Sequence, residues 1–174
     1  MYNKELILAI DPGNQESGIV IIEKDTLYPI YKELVDNNVI LSNILTKKYS
    51  NLGEIKHIAI EKIASYGMPV GIETFDTCIW IGRFLQAIKD TYNYPIRIKY
   101  IYRKDEKLNL CNSLRAKDSN IIQALVDRFA PAQKNNGKGT KNNPGWFYGF
   151  KADIWQAYAV AVTYVDLLEE EKRP

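Results

Sequence analysis

The chain opens with ELILAIDPGNQESGIVIIE at residues 5–23, two apolar runs joined by a short polar turn. Each run is long enough for a buried β-strand, and Pro12 and Gly13 are typical turn residues. Residues 28–35 alternate between apolar and polar side chains, which predicts a third strand. Because neither connection is long enough for a crossover helix, the three strands are predicted to form an antiparallel meander.

Alternating helices and strands are predicted after this meander. The predicted elements are a helix at 37–49, the strand HIAIEK at 57–62, a helix at 69–91, a strand at 95–102, and helices at 117–129 and 150–171. The strand at 57–62 is predicted to run parallel to the first strand of the meander. We therefore expect one α/β domain over residues 1–174: a mixed five-stranded sheet, three antiparallel strands then parallel ones, flanked by helices.

Length and composition agree with a single globular domain. The 174 residues are 46% apolar and 25% charged, which is enough to bury a core. No apolar stretch is long enough to cross a membrane, and the start lacks a signal-peptide pattern, so a cytoplasmic protein without a membrane partner is expected. Cys78 and Cys111 lack zinc spacing and are predicted to be buried free thiols. His57 is the only histidine, which argues against a histidine-based triad.

Three carboxylates stand at the ends of predicted elements. Asp11 ends the first apolar strand, Glu61 ends the strand predicted to run parallel to it, and Asp153 opens the closing helix. Adjacent parallel strands bring their carboxyl ends together, and hard cations such as Mg²⁺ or Mn²⁺ prefer oxygen ligands. The set predicts metal-dependent phosphate chemistry. Each acid also has an ordinary explanation, since Asp is favoured in turns and in the first turn of a helix.

Positive charge is concentrated in the second half of the chain. Residues 97–151 contain twelve Lys or Arg and four Asp or Glu, a net charge of +8, which leaves −6 for the remainder. Such a segment is typical of a nucleic-acid-binding face, because Lys and Arg neutralise phosphates. A solvated basic surface is the alternative.

The motifs around these acids resemble RuvC-type Holliday junction resolvases. The matching segments are LILAIDPGNQESGIVII at 6–22, IEKIASYGMPVG at 60–71, RKDEKLNLCNSLRAKDSNIIQALVDRF at 103–129 and GFKADIWQAYAVAVTY at 149–164. The family has an apolar strand followed by DPG and a second apolar strand, and its closing helix typically reads KADAADALAIA. The resemblance covers nearly the whole chain and is closest to phage members of the family.

The resemblance implies a ribonuclease H-like fold and a homodimer that cuts branched DNA. Asp11, Glu61 and Asp153 would be catalytic residues and the ligands of two Mg²⁺ or Mn²⁺ ions, with no small-molecule cofactor. Asp11 would bridge the two ions.

Basic side chains in the matching segments imply a DNA-binding face. Lys107, Arg115, Lys117 and Lys151 would contact phosphates, and residues 134–145 would form a mobile basic loop beside them. Ordinary solvated side chains are the alternative for each.

Two positions depart from the family pattern. Gln156 stands where the closing helix usually carries a second acid, so the fourth ligand is either Gln156 or Asp118, which is otherwise a helix-start residue. Ala64 replaces an aromatic side chain that some members carry. Tyr66 is close enough to serve as a stacking or wedge residue, and a surface tyrosine is the alternative.

The apolar stripe at Ile72, Phe75, Ile79 and Trp80 is either core or a dimer surface on the long central helix.

Three functions remain open from the sequence. The first is a structure-selective endonuclease that cuts Holliday junctions or other branched DNA. The second is a ribonuclease H-like nuclease acting on RNA or RNA–DNA hybrid, which would use the same acids. The third is a catalytically weak module that binds branched DNA, consistent with the neutral Gln156.

Overall fold

The computed structural model describes residues 4–65, 67 and 69–173. Its strands are β1 (Glu5–Asp11), β2 (Glu16–Glu23), β3 (Pro29–Asp36), β4 (Glu54–Glu61) and β5 (Arg97–Ile101). Its helices are α1 (Asn37–Leu45), α2 (Ile72–Thr91), α3 (Arg103–Cys111), α4 (Asp118–Phe129) and α5 (Ile154–Glu171). Short 3-10 helices at Lys48–Leu52 and Asn135–Gly137 complete the described structure.

The five strands form one mixed sheet in the order β3-β2-β1-β4-β5. Strands β1, β2 and β3 pair antiparallel, whereas β4 runs parallel to β1 and β5 runs parallel to β4. The predicted meander and the predicted parallel return are therefore confirmed. Strand β1 lies at the centre of the sheet, so its carboxyl end has a neighbour on each side.

Side chains of β1 alternate between two apolar cores, one on each face of the sheet. Leu6, Leu8 and Ile10 pack in the core that contains α1 and α2. Ile7 and Ala9 pack in the core that contains α4 and α5. Because alternation has a period of two, Asp11 continues on the face covered by α5. The same parity places Glu61 on that face, since Ala59 belongs to the α5 core and Ile58 and Ile60 do not.

Small side chains bring α5 close to the sheet. Ala157, Ala159 and Ala161 are fully buried in α5, and they face a core that includes Ala9 and Ala59 of the central strands. Alanine allows a close approach of helix and sheet without loss of packing density. The start of α5 is thereby held near the carboxyl ends of β1 and β4.

One helix was not predicted from the sequence. The segment RKDEKLNLC forms α3, and Glu106 is its only fully buried residue. Lack of an apolar stripe conceals this helix in the sequence, because amphipathic periodicity is the main signal for helices. Two smaller predictions were also wrong. Helix α5 begins at Ile154 rather than near residue 150, and Cys78 is exposed rather than buried because it lies on the outer side of α2.

The basic segment 134–145 has local structure. It contains the 3-10 turn Asn135–Gly137 and an antiparallel bridge between Gly139 and Pro144. The Gly145 amide donates to the Lys138 carbonyl oxygen at 3.0 Å. Its mobility stays a prediction. Elsewhere, none of the helices in the described ranges is both long and apolar enough to cross a membrane.

Candidate active site

The turn after β1 is fixed by a buried polar network. Ser17 Oγ accepts a hydrogen bond from the Gly13 amide at 3.1 Å and donates one to Asn37 Oδ1 at 2.6 Å. Asn37 Nδ2 donates to the Gly13 carbonyl oxygen at 2.9 Å. Ser17 and Asn37 are fully buried, so loss of either partner would leave a polar group unsatisfied. The network holds the turn that follows Asp11, and no sequence pattern predicts this role for Asn37.

Asp11 and Glu61 lie side by side at the carboxyl ends of two parallel strands. The register pairs Ile10 of β1 with Ile60 of β4, which makes the next residues neighbours. The two side chains share a hydrogen bond. Burial and the adjacent Glu61 charge raise the pKa of Asp11 well above its usual value. The two acids therefore hold a proton between them when no cation is bound.

Asp153 approaches this pair because β2 carries a glycine opposite Asp11. The antiparallel register pairs Asp11 with Gly18. A β-carbon on Gly18 would lie 2.6 Å from the carbonyl carbon of Asp153, well inside contact distance. Asp153 stands at the N-cap position of α5 without a side-chain capping bond, so capping does not explain its presence. Repulsion from its charge contributes to the raised pKa of Asp11.

Arg103 connects the remaining polar groups of the site. Its Nη1 donates to Glu106 Oε2 and also to Gln156 Oε1, the latter at 2.6 Å. Its Nη2 donates to Asp118 Oδ1. Both predicted alternatives for the fourth ligand, Gln156 and Asp118, are thus held by one guanidinium group. In the sequence, Arg103 is one of the basic residues of segment 97–151 and has no predicted role of its own.

Glu106 is a further acid of this site that the sequence did not identify. Its side chain is fully buried, and burial with repulsion from Glu61 raises its pKa to about 9, although Arg103 opposes this rise. Its charge also acts on Asp11. The carboxyl ends of β1 and β4 therefore lie among acids that repel one another unless a proton or a cation lies between them.

The acids are not arranged as a complete metal-binding site. Among the residues that the structure describes, no group of three Asp, Glu, His or Cys side chains is arranged to hold a metal ion. Asp11 and Glu61 are in contact, whereas the exposed Asp153 stands nearer the surface. The roles of Asp11, Glu61 and Asp153 as catalytic residues and ligands stay a prediction.

One of the predicted DNA-contact residues, Lys107, lies beside this site. Lys107 lines a cavity of about 320 Å³ together with Arg103, Lys104 and Leu114. Since Arg103 also contacts the acidic site, the cavity adjoins it.

The other predicted contact residues are exposed or lie outside the described residues. Arg115, Lys117 and Lys151 are exposed. Tyr66 lies outside the described residues.

A second cavity is less suited to phosphate chemistry. It measures about 460 Å³ and lies at the opposite end of β1, where Glu5, Lys24 and His57 line it. His57 Nδ1 is 2.7 Å from the hydroxyl of Tyr164, and its Nε2 is 3.6 Å from Glu5. These contacts give His57 a structural role, and burial lowers its pKa. Although this cavity is larger, the acids at the carboxyl ends of β1 and β4 are better suited to phosphate chemistry.

Comparison with solved structures identifies the fold. Thermus thermophilus RuvC in complex with a Holliday junction substrate matches with a TM-score of 0.70 and 13% identity, over 95% of this chain and 96% of that chain. Another Thermus thermophilus RuvC structure matches with a TM-score of 0.66 and 14% identity over the same shares. The yeast mitochondrial Holliday junction resolvase Ydc2 matches with a TM-score of 0.61 and 12% identity, over 99% and 82% of the two chains.

The chain therefore has the ribonuclease H-like fold of the RuvC resolvases, which confirms the predicted fold class. At 12–14% identity the likeness extends to the fold alone. No protein-family model matches the sequence, and no curated protein matches it. The similarity to phage members stays a prediction.

We expect Gly18→Ala to displace the start of α5. The added methyl group would meet the Asp153 backbone, and overpacking of this kind costs about 1–3 kcal/mol. Urea denaturation should show that loss, and Mn²⁺ affinity should fall as Asp153 moves. The matched control is Gly82→Ala on the outer side of α2, where a new β-carbon meets nothing within 4 Å. Unchanged stability and Mn²⁺ affinity in Gly18→Ala would refute this account of how Asp153 is positioned.

Proposed function

We propose that this protein is a divalent-metal-dependent endonuclease that cuts Holliday junctions or other branched DNA. The observation that carries the proposal is the contact between Asp11 and Glu61 at the carboxyl ends of neighbouring parallel strands. Ligands of α/β sheets bind in that crevice. The shared fold supports the proposal, because the neighbours with this fold are named as RuvC and as a Holliday junction resolvase.

The residues present fit a hard divalent cation in kind. Every candidate donor is a carboxylate or amide oxygen, which Mg²⁺ and Mn²⁺ prefer. Glu106 Oε1 is buried and has no hydrogen-bond partner among the described residues. Buried acids with an unused oxygen are expensive without a cation. Asp11, Glu61 and Asp153 would hold two Mg²⁺ or Mn²⁺ ions.

When bound, the cations would supply charge stabilisation at the phosphate and activation of water. The chain itself must then hold these acids in position. To hold a cation, Asp11 and Glu61 would both be ionised, and the proton between them would pass to solvent. The network of Ser17, Asn37 and Gly13 keeps Asp11 in place while that charge changes. Such preorganisation lowers the cost of the reaction more than flexible ligands could.

Basic side chains beside the acids are suited to hold the DNA backbone. Lys107, Arg115, Lys117 and Lys151 form no ion pair with any residue in ranges 4–65, 67 and 69–173. Arg128, by contrast, is paired with Asp166. Unpaired cations remain available to phosphates and would give affinity without sequence preference. Tyr66 is proposed as a stacking or wedge residue at the branch point.

We also propose a homodimer formed through α2. Ile72, Phe75 and Ile79 lie on the outer side of this helix with 76%, 58% and 60% of their surfaces exposed. The helix buries Phe84, Leu85 and Ile88 on its other side, so the apolar stripe divides between core and surface. Contiguous exposed apolar side chains of this size mark interaction sites. A two-fold dimer would present two active sites to a two-fold-symmetric junction.

Trp80 belongs to the inner part of this stripe. Its ring lies 5.6 Å from that of Phe84, and the Arg83 guanidinium covers it at 4.0 Å. The proposed dimer surface therefore consists of the three outer residues.

A protein of this kind would act on DNA in the cytoplasm, with a phage-infected host as the proposed setting.

A catalytically weak module that binds branched DNA is the second candidate. It is favoured by the neutral Gln156, whose oxygen is already engaged by Arg103. The same basic side chains would serve binding without cleavage.

The first test is cleavage of defined substrates. Purified protein with Mg²⁺ or Mn²⁺ should nick a four-way junction symmetrically, in preference to flap, linear duplex and RNA–DNA hybrid. Asp11→Asn should lower the rate about 100-fold or more, because several kcal/mol of charge stabilisation depend on the cation site. Tight binding of the junction without cutting would favour the binding module, and preferred cutting of the hybrid would favour a ribonuclease.

The second test concerns the phosphate contacts. Neutralising Lys107 and Lys117 together should flatten the plot of log affinity against log salt by about 2, since each duplex phosphate contact contributes about 0.9. Junction binding measured by fluorescence anisotropy over a salt series gives that slope. The matched control replaces Lys48 and Lys89, two exposed lysines on the other side of the sheet. Equal slopes for both double variants would remove Lys107 and Lys117 from the interface.

The third test concerns the dimer. Light scattering at micromolar concentration should give twice the chain mass of 20.0 kDa. Phe75→Glu combined with Ile79→Glu should give a monomer, because each apolar side chain contributes about 1.5–3 kcal/mol when buried. Leu114→Glu, which changes an apolar residue that is 59% exposed away from α2, should leave the dimer intact. A monomeric wild-type protein would contradict the dimer.

A further inference from the structure

Glu106 is a buried acid whose ion pair with Arg103 uses only one of its two oxygens. Its side chain is fully buried, and the neighbouring Asp105 already provides the helix cap by accepting the Tyr102 amide at 2.9 Å. Oε1 of Glu106 has no hydrogen-bond partner among the described residues. Leaving a buried carboxylate oxygen unpaired costs free energy that an apolar side chain would avoid. The oxygen therefore requires a partner that this arrangement of side chains does not supply.

The surroundings of Glu106 indicate what that partner is. Arg103 holds Oε2, the charge of Glu106 acts on Asp11, and the charge of Glu61 acts on Glu106, so the carboxylate lies near the acids at the carboxyl ends of β1 and β4. Arg103 is also shared with Asp118 and Gln156 and cannot balance all of these acids alone. A cation at the edge would satisfy the remaining oxygen and reduce the repulsion at once.

We propose that Glu106 is an acidic ligand of the divalent cation site, supplying through Oε1 the charge that Gln156 lacks. The fourth carboxylate of the ligand set would then come from α3 rather than from position 156 of α5. Arg103 would orient Glu106 by holding Oε2, which leaves Oε1 directed to the cation. This inference rests on the proposed function, because it concerns the same cation site.

Calorimetric titration of the full chain with Mn²⁺ alone, without DNA, tests the assignment. Wild-type protein should bind two ions. Glu106→Gln should keep the tighter ion and bind the second about tenfold more weakly or worse, because ligand charge changes cation affinity by decades. Adding Gln156→Asp to that variant should restore the second ion, since it returns an acid to the site by the other route.

Asp118→Asn is the matched control. Asp118 is held by the same guanidinium group, but 68% of its side chain is exposed. It should leave both ions nearly unchanged. Loss of an ion in Asp118→Asn, with normal binding in Glu106→Gln, would assign the fourth ligand to Asp118 and overturn the inference.

The possible failures are distinguishable. Glutamine preserves the shape of Glu106 and an oxygen for Arg103, so a folded protein is expected, as circular dichroism can check. If Glu106→Gln does not fold, Glu106→Asp retains the charge while withdrawing the carboxylate, and unchanged affinity for the second ion would overturn the inference. Wild-type protein that binds no Mn²⁺ would overturn the proposed function together with this inference. Wild-type binding that Glu106→Gln leaves intact overturns the inference alone.

Discussion

The contact between Asp11 and Glu61 constrains the rest of the structure. Two carboxyl groups can remain adjacent in a partly buried crevice only if a proton or a cation lies between their charges. The parallel pairing of β1 with β4 imposes their proximity, because the last paired residues, Ile10 and Ile60, directly precede them. The chain cannot relieve the repulsion by moving either acid without breaking the centre of its sheet.

The surrounding residues are organised around this constraint. Gly18 leaves space for the backbone of Asp153, and alanines let α5 approach the sheet. Ser17 and Asn37 hold the turn behind Asp11. On the other side, α3 contributes Arg103, a guanidinium group that offsets part of the negative charge. Acids and a guanidinium group thus meet at the carboxyl ends of β1 and β4.

Much of this arrangement could be predicted from the sequence. The two apolar runs and the turn between them predict the meander, and the parallel return of the strand at 57–62 predicts that Asp11 and Glu61 lie at neighbouring strand ends. Long periodic segments such as α2 and α5 were also predicted, apart from their exact beginnings. These features depend on local patterns that survive in a single sequence.

The parts that were missed depend on contacts between distant residues. Helix α3 has no apolar stripe, and Glu106 is buried because of what packs over it rather than because of its neighbours in sequence. Gln156 and Asp118 looked like competing ligands, whereas the structure attaches both to Arg103. Asn37 looks like an ordinary helix-start residue until its amide is seen to bind Gly13. Single-sequence patterns carry no record of such pairings.

Anomalous diffraction from crystals soaked in Mn²⁺ would test whether Asp11 and Glu61 bind the cation. We expect anomalous density between the side chains of Asp11 and Glu61, with their mutual hydrogen bond replaced by separate contacts to the ion. Mn²⁺ bound only elsewhere, with the Asp11–Glu61 hydrogen bond intact, would contradict it.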